Sequence, residues 1–227
     1  MANFNIVQVA FEVMKFFVPF LFALCFHEFA HGWVARRRGD NTAEIMGRLT
    51  LNPMAHADLI GTVVLPIMAI VTHIPLFGWA KPVPVDERNL KNPRVDMFWI
   101  SAAGPLSNFL LALIGAVGAG VFLRFYSRAI LEDQAGPTQI LEVLKMFISI
   151  NVYLAVFNLI PLYPLDGAKV LARFLPDKTN RWLEDMQSYT SIMLLLLFIS
   201  GAMVVIAIPA DYVRQIFFLL AQRVAMV

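Results

Sequence analysis

Along this chain, long apolar stretches alternate with short polar ones, and the lengths of the apolar stretches set the expected architecture. From about Ile6 to Ala35 the sequence reads as one helix, which at about 1.5 Å per residue is long enough to cross a hydrocarbon core of about 30 Å. Arg36-Arg37-Arg38-Gly39 stops it at a water interface. Residues from Asn41 to Asp58 are more polar. Within them Arg48, Thr50 and Asn52 alternate with Leu49 and Leu51, a period of two that predicts a short strand ended by a turn at Asn52-Pro53. Leu59 to Leu76 is a second apolar stretch containing Pro66 and Pro75, and Phe77 to Val85 follows with Pro82 and Pro84, which favour extended backbone. Charged residues from Asp86 to Arg94 return the chain to water. Met97 to Phe125 and Gln139 to Leu159 are two further long apolar helices, separated by the polar loop Ser127 to Pro137. The second of them breaks in Asn158 to Gly167. An amphipathic stretch to about Asp185, an apolar span from about Ile192 to Ile208 and a final segment from Tyr212 complete the chain.

The pattern predicts an all-α membrane protein, a polytopic helical bundle of about five to six transmembrane segments with a small strand-like, re-entrant region at the membrane edge. Residues 1–227 read as a single membrane-embedded domain, with a core of roughly 7–175 and additional C-terminal helices over 188–227. Composition agrees: 59% of residues are hydrophobic and 15% charged, with a mean hydropathy of +0.69, against about 25% charged in an ordinary soluble domain. A net charge of +2 gives no reason to expect a nucleic-acid partner. The single cysteine, Cys25, excludes an intramolecular disulfide, and its apolar neighbours point to a buried, inert thiol. The first apolar span is too long for a signal-peptide core and no basic residue precedes Lys15, so it reads as an uncleaved anchor.

Chemistry enters inside that first span. His27-Glu28-Phe29-Ala30-His31 fits the pattern H-E-x-x-H, in which two histidines four residues apart share one helix face and can bind one metal ion beside a glutamate base. Ionisable groups at membrane depth are costly and mark function by default; the alternative is a pair of hydrogen-bonded core histidines. A hydrolytic zinc site takes a third protein ligand and leaves a fourth position open. The three-histidine version of the motif fails here, since Val34 and Arg37 stand at its glycine and histidine positions. Glu44 and Asp58 have the right charge but lie in polar segments. Asp166 is the stronger candidate, because two prolines have broken the helix around it, and irregular backbone at membrane depth is tolerated where it lines a cavity. Its alternative task is to cap the helix that starts at Gly167.

These residues resemble a known family. His27-Glu28-Phe29-Ala30-His31, Asn158-Leu-Ile-Pro161 and Leu165-Asp166-Gly167 match the H-E-x-x-H and N-x-x-P-x-x-x-L-D-G signatures of the site-2 proteases, intramembrane zinc metalloproteases. Gly47 to His56, Gly78 to Val85 and Gly104-Pro-Leu-Ser-Asn108 are similar to the compact bacterial and archaeal members, so the resemblance covers roughly residues 10 to 175. It implies one zinc ion per chain held by His27, His31 and Asp166, with Glu28 activating water. It also offers Asn158 as an oxyanion donor; the alternative is an asparagine that satisfies carbonyls freed at the helix break. His56 and Asn108 would sit behind the ligands, or His56 would cap the strand region. His73 has no motif around it and reads as packed or interfacial. No segment has room for the family's PDZ domain or nucleotide-sensing pair.

A metal site joining His31 to Asp166 requires Asp166 to reach the arginine-rich end of the first helix. That predicts that Leu59 to Val85 is a re-entrant hairpin, helical going in and extended coming back. Most basic residues then share one face with Arg36, Arg37 and Arg38, opposite Arg124 and Arg128. By the positive-inside rule that face is cytoplasmic, which places the site nearer the cytoplasm of a prokaryotic cell membrane. The expected partners are the lipid bilayer and a transmembrane protein or peptide substrate. A zinc transporter or metal-stabilised scaffold is the rival reading, but a transport path needs polar residues along a whole crossing, whereas here they cluster at one depth.

Overall fold

The computed structural model describes residues 6–72, 78–132, 134–201 and 203–226. Helix α1 spans Ile6–Arg38 and is followed by two single turns, α2 (Thr42–Ile45) and α3 (Pro53–His56). A π-helical turn, Leu59–Val64, runs directly into α4 (Leu65–Thr72). After an irregular segment and a 3-10 turn at Glu87–Asn89 come the two longest packed helices, α5 (Pro93–Leu131) and α6 (Ala135–Asn158). The chain ends with α7 (Asp166–Ala172), α8 (Asp177–Asp185), α9 (Gln187–Ile199) and α10 (Met203–Met226).

Three helices, Phe11–Arg38 of α1, α5 and α6, are long and apolar enough to cross a membrane, and Leu59–Met68 is a shorter apolar helix. The protein is an all-α membrane protein, with fewer such spans among the described residues than the five to six expected. The difference lies mainly at the C-terminus. The apolar run from Ile192 to Ile208 is not one span: α9 ends at Ile199, the backbone turns at Gly201 with φ of 74°, and α10 begins at Met203. Helix α10 in turn carries Asp211, Arg214 and Arg223.

Helix α5 is the centre of the bundle. The contacts His31 to Ile100 and His27 to Asn108 run in opposite senses along α1 and α5, so these helices are antiparallel. Asn108 meets Asn151, and the backbone at Gly115 faces Phe147 and Ile148, so α6 runs back alongside α5. Ala112, Ala116 and Ala119 of α5, Ile148 and Val152 of α6 and Ala221 of α10 form one buried cluster. Small side chains suit this contact, because lipid supplies no hydrophobic driving force between helices and association depends on close packing.

The expected strand at Arg48 to Asn52 is not formed, and there is no strand among the described residues. Local hydrogen bonds compete with a ladder and prevail. Gly47 adopts a φ of 66°, a conformation that closes α2 into a turn. The Ala43 carbonyl accepts from the Arg48 and Leu49 N–H groups. Thr50 Oγ1 accepts from the Asn52 N–H, and Asn52 Oδ1 caps α3 by accepting from Met54 N–H at 3.1 Å. The alternation of residue types was real, but it served caps and turns.

The expected hairpin has its two arms side by side. Trp79 N–H donates to the Gly61 carbonyl at 3.2 Å, Thr62 Oγ1 donates to the Trp79 carbonyl at 2.8 Å, and Lys81 N–H donates to the His56 carbonyl at 2.9 Å. The returning chain therefore lies against the start of the π-helical turn. His73 and the tip at 73–77 lie outside the described residues. The stretch from Gly78 to Asp86 has no helix, as its prolines require.

Candidate metal centre

Helix α1 carries His27, Glu28 and His31 in its last three turns, and all three are buried. A four-residue spacing stacks the two histidines on one face, with ring centres 4.6 Å apart. That face meets α5 at Gly104, where an added Cβ would lie 2.4 Å from His31 Nε2 and 2.6 Å from His27 Cε1. Only glycine leaves room for both imidazoles. Asp166 is the first residue of α7, which packs against α5. Its carboxylate makes no cap; the capping position is Leu165, without a side-chain bond. It is turned instead to the histidines, with Oδ2 at 3.1 Å from His27 Nε2 and 3.2 Å from His31 Nε2. The turn into α7 is tight enough that a Cβ at Gly167 would fall 2.3 Å from the Leu159 carbonyl oxygen, which explains the glycine after the aspartate.

Hydrogen bonds behind the rings decide where their protons sit. Asn151 Nδ2 donates to the Phe147 carbonyl at 2.9 Å, so its Oδ1 is an acceptor and takes a bond from Asn108 Nδ2 at 3.0 Å. Asn108 Nδ2 also donates to the Ala23 carbonyl at 3.1 Å. With its donors spent, Asn108 presents Oδ1 to His27 Nδ1 at 2.6 Å, and the ring must be the donor there. His31 Nδ1 likewise donates to the Ile100 carbonyl at 2.7 Å. Both Nδ1 positions carry protons, so in the neutral rings both Nε2 atoms are lone pairs. In that neutral state two lone pairs and a carboxylate oxygen converge. Such an arrangement repels itself unless a cation sits between its members, and it is the donor set that zinc accepts. The three ligand atoms lie within 4.8 Å of one another, as a single metal ion requires.

Glu28 stands beside this cluster and is held from the hairpin. Its Oε2 accepts from Val83 N–H at 2.8 Å. Pro82 and Pro84 have no N–H, so Val83 supplies the only backbone donor in that tripeptide. The segment is fixed in turn by Arg48, whose Nη2 donates to the Lys81 carbonyl at 2.7 Å and the Pro82 carbonyl at 3.3 Å. Among the described residues no second hydrogen bond reaches Glu28, which leaves Oε1 with its acceptor capacity.

The other expected residues divide. Asn108 lies directly behind His27. Among the described residues His56 makes no hydrogen bond to the histidines or Asp166: it is buried, and its Nε2 donates to the Thr50 carbonyl at 2.7 Å, a cap on the turn region where a strand was expected. Asn158 Nδ2 donates to the Leu154 carbonyl at 2.9 Å, within its own helix, which is the bond of an asparagine satisfying carbonyls at a helix end. Glu44 pairs with Arg36 at 2.8 Å, and Asp58 accepts from the Ile60 and Gly61 N–H groups at the start of the π-helical turn. Asn151, Gly104, the Ile100 carbonyl and the Val83 N–H were not anticipated. Asn151 carried a signal as a polar residue between Ile150 and Val152 in an apolar helix, and Gly104 and Val83 lie in motifs of the resemblance, which implied no role for them.

Comparison with known proteins places this geometry. The profile described as Peptidase family M50 matches residues 15–133 and 126–200. A protein of Bacillus subtilis (strain 168) named "Putative zinc metalloprotease YwhC" is 36% identical over 183 residues, covering 81% of this chain and 79% of that protein. Two mycobacterial proteins named "Putative zinc metalloprotease Rip2" are also similar. The one from Mycolicibacterium smegmatis is 28% identical across 81% of this chain and 66% of its own length, and the one from Mycobacterium tuberculosis (strain H37Rv) is 30% identical across 79% and 64%. No solved structure matches. The matched residues include the two histidines, the glutamate and the aspartate whose side chains meet in the bundle, and the chain belongs to peptidase family M50, the site-2 proteases.

Proposed function

We propose that His27, His31 and Asp166 hold one zinc ion per chain and that Glu28 is the general base for hydrolysis of a peptide bond in a transmembrane substrate. As a member of family M50 the chain is an intramembrane zinc metalloprotease; the roles of the individual residues are our reading. The observation that carries it is the convergence of His27 Nε2, His31 Nε2 and Asp166 Oδ2 with both Nδ1 protons committed elsewhere. When bound, zinc supplies Lewis acidity to water and to the scissile carbonyl.

The protein's own groups do the rest. Glu28 Oε1 takes a proton from the attacking water and later delivers it to the leaving amine nitrogen, while the bond from Val83 N–H to Oε2 keeps the carboxylate in one orientation. Burial of His27, Glu28 and His31 excludes bulk water from the reacting groups. Asn158 remains a candidate for polarising the oxyanion once its bond to Leu154 is exchanged for one to substrate. A peptide bond in an intact membrane helix has its carbonyl already hydrogen-bonded, so the substrate helix must open before Glu28 can act on it. The arginine-rich end of α1, five residues beyond His31 in the sequence, supports by the positive-inside rule a site nearer the cytoplasmic face of a prokaryotic cell membrane.

The test is metal content of purified protein. Wild type is expected to carry about one zinc per chain, the stoichiometry of a single three-ligand site. Asp166→Ala should lose most of it, and Glu44→Ala, whose carboxylate is committed to Arg36, should not. The reverse pattern would assign the third ligand to the wrong carboxylate.

A further inference from the structure

The arginine-rich end of α1 and the first turns of α5 enclose an open cleft of about 530 Å³, lined by Trp33, Arg37, Arg38, Trp99, Ala103 and Leu106 among others. It has a polar and an apolar part. Trp33 and Trp99 are 43% and 45% exposed, and aromatic rings of this kind favour the boundary between lipid and water. The Arg37 guanidinium lies over the Trp33 ring, 4.6 Å from its centre, and Arg38 lies 5.8 Å from the centre of Trp99. Arg36 is neutralised by Glu44 and Arg38 faces Asp96 at 3.4 Å, but Arg37 has no carboxylate partner among the described residues. Positive charge is therefore left over at the mouth of the cleft. Beyond it, Leu106, Leu110, Leu113 and Val117 are exposed along one face of α5, at a spacing that makes a continuous apolar lane about three turns long.

We propose that this cleft binds one phospholipid with an anionic headgroup. Its phosphate is held by Arg37 and Arg38, its glycerol region lies between Trp33 and Trp99, and an acyl chain follows Leu106 to Val117. A net-negative headgroup is favoured over a zwitterionic one because the Arg37 charge has no carboxylate partner among the described residues. The position matters to the bundle: Trp33 is two residues beyond His31, and Trp99 adjoins Ile100, whose carbonyl holds the His31 ring. A lipid seated here bridges α1 and α5 where their register fixes that ring. The inference rests on the membrane fold and the cleft, and not on the protease reading.

The experiment is native mass spectrometry of the full chain in detergent, after incubation with equimolar phosphatidylglycerol and phosphatidylcholine of the same acyl chains. Wild type is expected to retain one phosphatidylglycerol in preference. Arg37→Gln should lower that preference about fivefold, the size expected of one basic residue at an anionic surface, and Arg128→Gln at the other end of α5 should leave it unchanged. Because Arg37 is exposed and makes no ion pair among the described residues, its replacement should leave the far-UV circular dichroism spectrum intact. Excess soluble glycerophosphate should not displace the lipid, since it has nothing to occupy the apolar lane. Equal retention of the two lipids by wild type, an undiminished preference in Arg37→Gln, or displacement by glycerophosphate would each overturn the proposal.

Discussion

Asn108 shows how one residue can set the chemistry of another. Its two donors are consumed by Ala23 and Asn151, which leaves an acceptor for His27 Nδ1 and turns the Nε2 lone pair toward Asp166. Groups that orient a metal-ligating histidine typically contribute about 10-fold to 100-fold in metal affinity. Asn108→Ala should therefore weaken zinc binding by about that factor, read by competition with a chromophoric chelator, without the near-complete loss expected for Asp166→Ala. Unchanged affinity would mean that the His27 tautomer is set by something else. The candidate site was legible because its patterns are local: residues four apart on a helix share a face whatever the fold, and the aspartate follows a proline-broken helix. Of the groups that orient its residues, Asn108 was legible through its motif and the others were not. Ile100 and Val83 act through backbone atoms, whose partners no side-chain pattern reports, and Asn151 acts only through Asn108.

At the scale of elements, the segment after α1 is tied to the segment before α5 by one carboxylate. Buried Asp40 accepts from Thr42 N–H at 3.0 Å, the Thr42 hydroxyl, Asp86 N–H at 2.8 Å and Asn89 Nδ2 at 2.9 Å. Burial alone would raise its pKa; together these four bonds outweigh it and hold the carboxyl below the ordinary aspartate value. The folded pKa is thus the lower one, so the clamp's contribution is complete above the unfolded pKa, about 4, and is lost as pH falls through the folded value. Amide exchange at Asp86 to Asn89, corrected for intrinsic rates, should accelerate on acidification below about pH 4 in wild type, whereas Asp40→Asn should exchange fast at every pH. Protection that is independent of pH in wild type would contradict the clamp. The failed strand belongs to this scale as well. Five alternating residues cannot distinguish a strand from consecutive turns, and Gly47, Thr50 and Asn52 are residue types whose local bonding favours the turns.

For the whole molecule, the order of helices follows from the metal site. Helix α5 rises about 57 Å over its 39 residues, which carries the chain from the arginine-rich end to the other side, and α6 returns it so that Asp166 can meet His31. The segment returning to α5, with Lys81 beside His56 and Val83 on Glu28, lies at the first end. Lys91 and Ala135 are both exposed, at opposite ends of this path. In a Cys25→Ala background, Lys91→Cys and Ala135→Cys should label from opposite sides of the membrane with an impermeant maleimide, Lys91→Cys from the cytoplasmic side. Labelling of Lys91→Cys from the outer side would require α4 to cross completely, and labelling of both from one side would mean that α5 does not cross. Apolar lengths made the three long helices legible, but the C-terminal count was not, because whether an apolar run is one helix or two depends on a turn at a single glycine, Gly201.

The central claim is that Glu28 moves the proton beside a metal it does not hold. Zinc content and cleavage should be measured on the same preparation of Glu28→Gln, using a transmembrane peptide with an Asn-Gly pair in the span to ease helix opening. The substitution keeps the acceptor for Val83 N–H and removes only the base. Zinc is expected to stay at the wild-type level while the rate of cleavage falls by at least about a hundredfold, the low end for loss of a general base. Undiminished cleavage with zinc in place, or loss of zinc together with activity, would contradict it.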